Sequence, residues 1–117
     1  MQEITDQLLD KIAARFRAMS NPVRLRILHE LEDRELSVSE ILERIGGSQA
    51  NASKHLAVLR GVGLVAPRRE GPSVYYRIDD EAVFAICEAV CDSLHKRASL
   101  EIETIEQGRE AILAVRN

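Results

Sequence analysis

The sequence predicts a single, mainly α-helical domain over residues 1–117 that carries one small β-hairpin. Apolar residues recur at intervals of three and four through most of the chain, which is the spacing of helices with one buried face. Residues 64–78 differ, because β-branched and aromatic residues flank a Gly-Pro turn there. The length suits one compact core, and a composition of 45% hydrophobic and 30% charged residues is typical of globular proteins.

Two helices are expected at the start of the chain. The first is predicted over residues 3–20, with an apolar stripe formed by Ile4, Leu8, Ile12 and Phe16. The second begins at Asn21-Pro22, because asparagine caps a helix and proline fits the first helical position. Its apolar side chains are Val23, Ile27, Leu28 and Leu31.

Residues 37–60 predict two further helices joined by a tight turn. Ser37-Val38-Ser39-Glu40 is a capping box that starts the third helix, and Gly46-Gly47 ends it. Ser48 caps a fourth helix over residues 49–60, whose inward side chains are Ala52, Leu56 and Leu59. Two helices joined by a short glycine-containing turn form a helix-turn-helix.

The hairpin and the fifth helix complete the prediction. Strands at Leu64–Ala66 and Val74–Ile78 flank the turn Glu70–Ser73. The acids of residues 79–81 are expected on the first turn of the fifth helix, where the helix dipole favours them. Its apolar stripe is Val83, Ile86, Val90 and Leu94. The tail from Ser99 either extends this helix or forms a sixth.

Positive charge is concentrated in the middle of the chain. The net charge is −3, with 16 basic and 19 acidic residues. Residues 48–77 nevertheless hold five basic residues and one acidic residue, between acidic flanks. The negative total therefore does not exclude a nucleic-acid partner.

The polar face of the fourth helix and the basic hairpin predict DNA binding. Gln and Asn can pair with adenine in the major groove, Lys can reach guanine or phosphate, and a capped helix start suits a phosphate. A basic hairpin after such a helix can follow the DNA backbone as a wing. The predicted contacts are Ser48, Gln49, Asn51, Ser53, Lys54, His55, Arg68, Arg69 and Arg77. The alternatives are a merely solvated face and, for His55, a packing or capping role.

Three motifs resemble those of the ArsR/SmtB winged helix-turn-helix repressors. Residues 20–28 (SNPVRLRIL) resemble their second helix, residues 48–59 their recognition helix, and residues 63–78 their wing. The resemblance covers residues 8–95. It implies a homodimer joined through the first and fifth helices (3–20 and 79–115), a helix-turn-helix at 37–60 and a wing at 64–78. It also implies a repressor that binds a two-fold symmetric operator and is released by an inducer.

Two of that family's metal sites are missing from this chain. Arsenite-responsive members carry Cys-Val-Cys where this sequence has Ser37-Val38-Ser39. Zinc-responsive members carry ligands at positions matching Asp80, Ala82, Ser93 and Lys96, of which only Asp80 is a suitable type.

Cys87, Cys91 and His95 are the candidate sensor residues that remain. Their spacing of four places them along one face of the fifth helix. With a second copy they offer ligands to trivalent arsenic, cadmium or zinc as inducer. Redox or persulfide sensing is a second interpretation, and plain packing of small apolar thiols is a third. For His95, a solvated or dipole-favoured position is the alternative.

Other classes of protein are disfavoured. The longest uncharged apolar run falls far short of a membrane span, the N-terminus does not resemble a signal peptide, and two cysteines do not make a disulfide framework. A cytoplasmic protein is therefore expected. The sequence shows no phosphate-binding glycine loop, nucleophile elbow or Cys-x-x-Cys motif, so we do not expect an enzyme. A winged helix used only for protein contacts is disfavoured by the basic segment.

Overall fold

The computed structural model describes residues 3–116, so the ends of the predicted 1–117 domain, at positions 1, 2 and 117, lie outside the described residues. The elements in chain order are α1 (Asp6–Met19), α2 (Pro22–Glu30), β1 (Leu36–Ser37), α3 (Val38–Ile45), α4 (Gln49–Gly61), β2 (Val65–Glu70), β3 (Ser73–Ile78) and α5 (Ala82–Arg116). The chain divides between Glu81 and Ala82 into two compact units. The first contains α1 to β3, and the second contains α5.

The helix starts in the first unit follow the capping residues in the sequence. The Asn21 side chain accepts hydrogen bonds from the amides of Val23 and Arg24, at 2.9 and 3.1 Å, which confirms the predicted start of α2. The prediction that the first helix begins at residue 3 is wrong. The Thr5 hydroxyl accepts from the Leu8 amide and caps the helix there, so α1 begins at Asp6.

The predicted hairpin is present as β2 and β3, and the short strand β1 extends it to a three-stranded antiparallel sheet. Its strand order is β1-β3-β2, and the two residues of β1 pair with β3 as Leu36 with Tyr76 and Ser37 with Tyr75. A two-residue strand is too short to show any periodicity, so the sequence did not indicate it. Pro67 lies in the edge strand β2, where a missing N–H is tolerated.

The core of the first unit comes from α2, α3, α4 and the adjoining strand ends. Its fully buried large side chains are Ile27, Leu28, Leu31, Ile41, Leu56, Leu59 and Val65. The predicted inward residues of the fourth helix are thus confirmed, whereas Val23 is exposed. On α1, the predicted stripe is not covered: Leu8, Ile12 and Phe16 are 48%, 42% and 53% exposed.

The second unit is one continuous helix of 35 residues. Gly108 does not interrupt it, so the tail after Ser99 extends the fifth helix and no sixth helix forms within residues 82–116. All residues from Glu88 to Arg116 are exposed. None of the helices within residues 3–116 is both long and apolar enough to cross a membrane.

The prediction that residues 79–81 form the first turn of α5 is wrong. The amides of Asp79 and Asp80 donate to the Leu64 carbonyl, at 2.9 and 3.4 Å, and the Asp80 carboxylate pairs with Arg15 of α1. These bonds hold the acids in the connection after β3, and the helix begins at Ala82.

Substituting Ser37 tests the capping box that starts α3. The Ser37 hydroxyl accepts from the Glu40 amide at 3.1 Å, and the Ser37 amide donates to the Glu40 carboxylate at 3.0 Å. We expect Ser37→Ala to lower the free energy of unfolding by about 1 kcal/mol, measured by urea denaturation. The control is Ser39→Ala, at an exposed helical position two residues on, which should change it by less than about 0.5 kcal/mol. Equal effects of the two substitutions would contradict the capping role.

Candidate nucleic-acid interface

The helices α3 and α4 are joined by a turn whose geometry depends on glycine. Gly46 and Gly47 have φ angles of 74° and 83°, a region that residues with a Cβ rarely adopt. Ser48 follows in extended conformation, and its hydroxyl accepts from the Asn51 amide at 3.1 Å. The hydroxyl of Ser48 caps α4 and keeps its own proton to donate, so the cap and the predicted phosphate contact are compatible.

One face of α4 is apolar and buried, and the other is polar and exposed. Ala52, Leu56 and Leu59 are at most 2% exposed and fix the helix to the core. The predicted contacts Gln49, Asn51, Ser53 and Lys54 are all exposed. A helix held by one apolar face therefore presents amide, hydroxyl and ammonium groups on the other, which are the groups that read base edges and phosphates.

His55 lies between these two faces. It is half-buried, and its Nδ1 lies 3.3 Å from Nη1 of Arg24 on α2. Sequence reasoning missed Arg24, because the two residues are 31 positions apart and nothing in the local pattern links them.

A groove lies beside the start of α4. It has a volume of about 350 Å³ and lies between the first turn of α3, Gln49 and the turn of the hairpin, lined in part by Ser39, Ser73 and Tyr75. The predicted helix-turn-helix and the predicted wing are thus neighbours in space. Ser37 joins them, because it caps α3 and also pairs with Tyr75 of β3.

Arg68 fastens the hairpin to the rest of the first unit. Its guanidinium binds the Glu35 carboxylate through Nε and Nη2, at 3.1 and 2.8 Å, and the Glu70 carboxylate through Nη1, at 3.0 Å. It also lies over the Tyr75 ring, 5.0 Å from its centroid. The hydrogen bonds from Arg68 hold the pKa of Glu35 below its usual range, so the pair stays ionised at neutral pH. Sequence reasoning did not single out Glu35, because it lies 33 positions from Arg68, and it identified Tyr75 only as a residue of the predicted strand.

The two other basic residues of the hairpin are exposed. Arg69 is paired in register with Val74, and Arg77 with Ala66. Because strand residues alternate between faces, Arg69 lies on the opposite face of the sheet from Arg68, whereas Arg77 shares a face with Arg68's partner Tyr75. The structure therefore distributes the three arginines over both faces of the wing.

The candidate sensor residues lie on α5. Cys87 is half-buried and Cys91 is exposed, neither forms a disulfide, and His95 is exposed. Partial burial raises the pKa of the Cys87 thiol, which favours its protonated form. Within one chain, residues 3–116 contain no group of three His, Cys, Asp or Glu side chains arranged to hold a metal ion.

Of the two serines at the positions of the family's cysteines, Ser37 has a structural role here. Ser37 caps α3 and pairs with β3. Asp80, at the position matching a zinc ligand, pairs with Arg15. One position from each missing metal site, Ser37 and Asp80, is thus used for a hydrogen bond or an ion pair of this chain.

A core of α2, α3 and α4, in which α4 is the recognition helix, together with a hairpin wing defines a winged helix-turn-helix protein that binds DNA. Residues 19–68 match a family model described as a helix-turn-helix domain. The chain is 44% identical over 78 residues to the transcriptional activator HlyU of Vibrio cholerae, covering 67% of this chain and 72% of HlyU. It is 38% identical over 81 residues to the transcriptional regulator KmtR of Mycobacterium tuberculosis, where the match covers 68% of this chain and 62% of KmtR.

A solved structure with the same fold is described as a homodimer. The solution NMR structure of Mb0332 (fragment 1–100) from Mycobacterium bovis superposes with a TM-score of 0.70 at 36% identity, covering 83% of this chain and 95% of that one. It is described as a homodimeric winged helix-turn-helix DNA-binding domain and a possible ArsR-family regulator. This chain belongs to the ArsR/SmtB family of transcriptional regulators, and its partners are DNA and a second copy of itself.

Replacing Arg69 tests whether the wing binds the DNA backbone. We expect Arg69→Ala to weaken binding to random-sequence duplex. The slope of log K against log salt concentration should become less negative by about one per protomer, because one phosphate contact is lost. The measurement is a fluorescence-anisotropy titration at several salt concentrations.

The matched control for Arg69→Ala is Arg26→Ala, which removes the same charge from α2. Arg26 is paired with Glu30 at 2.9 Å. The control should leave the salt slope unchanged. If both variants flatten the slope equally, the wing contributes only net charge and makes no direct contact.

Proposed function

We propose that the homodimer is a repressor that binds a two-fold symmetric operator and is released by an inducer. The observation that carries this proposal is the exposed polar face of α4, capped by Ser48 and separated from the wing turn by a groove. On this face of α4, the side chains of Gln49 and Asn51 contact base edges in the major groove. Phosphates or adjacent base edges are bound by Ser48, Ser53 and Lys54. Arg69 and Arg77 bind the backbone beside them. Arg68 lies in the same wing, and since its charge is paired with the carboxylates of Glu35 and Glu70, its proposed part is to hold the wing in place.

Residues 3–20 and 79–115 are proposed to form the dimer interface, with 37–60 as the helix-turn-helix and 64–78 as the wing. Apolar side chains on α5 support this assignment. At about 100° per residue, Cys87, Leu94, Ile105 and Ile112 lie within about 20° of one line along the helix. Leu94, Ile105 and Ile112 are 65%, 67% and 63% exposed in one chain, so a second copy would bury a continuous stripe.

The inducer is proposed to act at Cys87 and Cys91. Cys87 lies on that same line and Cys91 about 40° from it, so a dimer whose two-fold axis crosses α5 near these residues would bring four thiols together, with His95 one turn further along. Since one chain alone has no metal-holding group within residues 3–116, ligation of trivalent arsenic or a thiophilic divalent ion would need both copies. Persulfide or disulfide chemistry between the same thiols is the alternative. Either event would change the angle between protomers and thus the spacing of the two recognition helices.

Activation of transcription is the second candidate function. It rests on one observation, the name of HlyU, a transcriptional activator that is 44% identical over 78 residues. The same DNA-binding surface serves both functions. An in vitro transcription assay on a promoter containing the selected operator separates them, because a repressor lowers transcript yield and an activator raises it.

Selection of DNA from a randomised duplex pool by the purified full chain tests the operator-binding function. We expect two inverted half-sites about one helical turn apart, because a symmetric dimer presents two recognition helices. Gln49→Ala should relax base preference within each half-site by about 1–3 kcal/mol and leave the salt slope intact. The control is Gln107→Ala, the same substitution on α5. Recovery of no motif, or of a motif without dyad symmetry, would contradict the function.

Titration of the operator complex with arsenite, Cd²⁺, Zn²⁺ and a persulfide donor tests the inducer. We expect one agent to release DNA from the wild type, and Cys87→Ser and Cys91→Ser to resist it, because the thiolate is the ligand and the nucleophile. The control is Ala89→Ser, which adds a serine to the same helix. Mass spectrometry of the denatured protein distinguishes the two kinds of inducer, because a persulfide adds the mass of sulfur to a cysteine whereas a bound metal ion is lost on denaturation. Normal release from both cysteine variants would leave the thiols a packing role only.

A further inference from the structure

Arg24 is anchored on the end of α1. Its Nε donates to the Ala18 carbonyl at 2.6 Å, and its Nη2 donates to the Arg17 carbonyl at 3.0 Å. These carbonyls belong to the last turn of α1, where the helix dipole is negative, and the Arg17 carbonyl also accepts from the Ser20 amide at 3.2 Å. A cation with two such bonds has little freedom, so the direction of its remaining N–H groups is fixed by the fold.

One of those remaining groups meets the recognition helix. Nη1 of Arg24 lies 3.3 Å from Nδ1 of His55. A guanidinium has only donors, so in this hydrogen bond Nδ1 must be the acceptor and must carry no proton. A neutral imidazole has one proton for its two nitrogens. Arg24 therefore selects the His55 tautomer in which Nε2 carries the proton.

The Nε2–H group of His55 keeps contact with solvent. Arg24 is the side-chain partner of the His55 ring among residues 3–116, and its bond is made at Nδ1. In the same part of the chain, no side-chain nitrogen or oxygen is both buried and without a partner. Nε2 therefore retains some contact with solvent, one helical turn after Asn51 and at the border between the two faces of α4.

We propose that Arg24 is a positioning residue that fixes the tautomer of His55, and that His55 Nε2–H donates a hydrogen bond to an acceptor on DNA. The acceptor is a phosphate oxygen or a base-edge atom such as a purine N7, both of which suit a single N–H donor. The proposal rests on α4 being the recognition helix. It assigns to His55 two simultaneous bonds, one inward to Arg24, which is itself bound to the end of α1, and one outward to DNA.

Two nearly isosteric substitutions of His55 separate these bonds. In His55→Gln the side-chain amide nitrogen occupies the place of Nε2 and can still donate to DNA. In His55→Asn the amide reaches only the place of Nδ1, so it can still accept from Arg24 but offers nothing outward. We expect His55→Gln to bind the selected operator within about threefold of the wild type. His55→Asn and His55→Ala should bind at least about tenfold more weakly, because each protomer loses a hydrogen bond.

Binding of the same variants to a random-sequence duplex identifies the kind of acceptor on DNA. A loss by His55→Asn that is equal on operator and random-sequence duplex assigns a phosphate, whereas a loss confined to the operator assigns a base edge. Both results support the donor role. Wild-type binding by His55→Asn, or equal weakening by the Gln and Asn variants, overturns it. Failure of the wild type to bind any DNA would instead refute the proposed function.

The tautomer itself is observable without DNA. In the ¹⁵N-labelled full chain, long-range ¹H–¹⁵N spectra distinguish a protonated from an unprotonated ring nitrogen. We expect Nε2 of His55 to be the protonated one in the neutral ring, and Arg24→Met to produce a mixture of tautomers with weaker operator binding. A wild-type ring protonated at Nδ1 would refute the role of Arg24. If Arg24→Met does not fold, the wild-type spectrum and the His55 series still decide the outcome.

Discussion

The apolar surface on α1 and α5 is the constraint on which the rest of the structure depends. Among residues 3–116, fifteen large hydrophobic side chains are exposed, and all but Val23 and Val58 lie on these helices or at Ile4, just before α1. Burial of apolar surface stabilises a protein by about 25 cal/mol per Å², so the exposed apolar side chains of each helix favour burial against a partner. A protein that forms homodimers can satisfy this constraint with a second copy of the same surface.

Dimerisation provides the DNA contacts that the small first unit of one chain lacks. One α4 offers few base contacts, whereas in the operator complex that we propose two copies related by symmetry read two half-sites with a fixed spacing. Within each protomer, hydrogen bonds between residues distant in sequence fix the position of the wing relative to the helix-turn-helix. Ser37 joins α3 to β3, and Arg68 ties the wing to Glu35 through hydrogen bonds of 2.8–3.1 Å. A change in the angle between protomers would therefore move helix and wing together.

The features that could be predicted from sequence are those determined by neighbouring residues. The cap at Asn21, the capping box, the glycine turn and the inward face of α4 depend on spacings of two to four residues, and the structure confirms them. The strand β1 and the pairs Arg24–His55 and Arg68–Glu35 could not be predicted. They join residues more than 30 positions apart, and no local pattern encodes such contacts. The start of α5 was misplaced for the same reason, because a distant carbonyl and Arg15 hold the acids before it.

Sedimentation equilibrium of two glutamate variants, with operator binding measured alongside, tests the dimer account most directly. Ile105 lies on the apolar line of α5, and Gln107 lies about 200° around the helix from it. A buried carboxylate at position 105 is costly, so Ile105→Glu should shift the chain to monomer and lose operator binding. Gln107→Glu adds the same charge and should stay dimeric with wild-type affinity. A dimeric, operator-binding Ile105→Glu protein would contradict an interface along this face of α5.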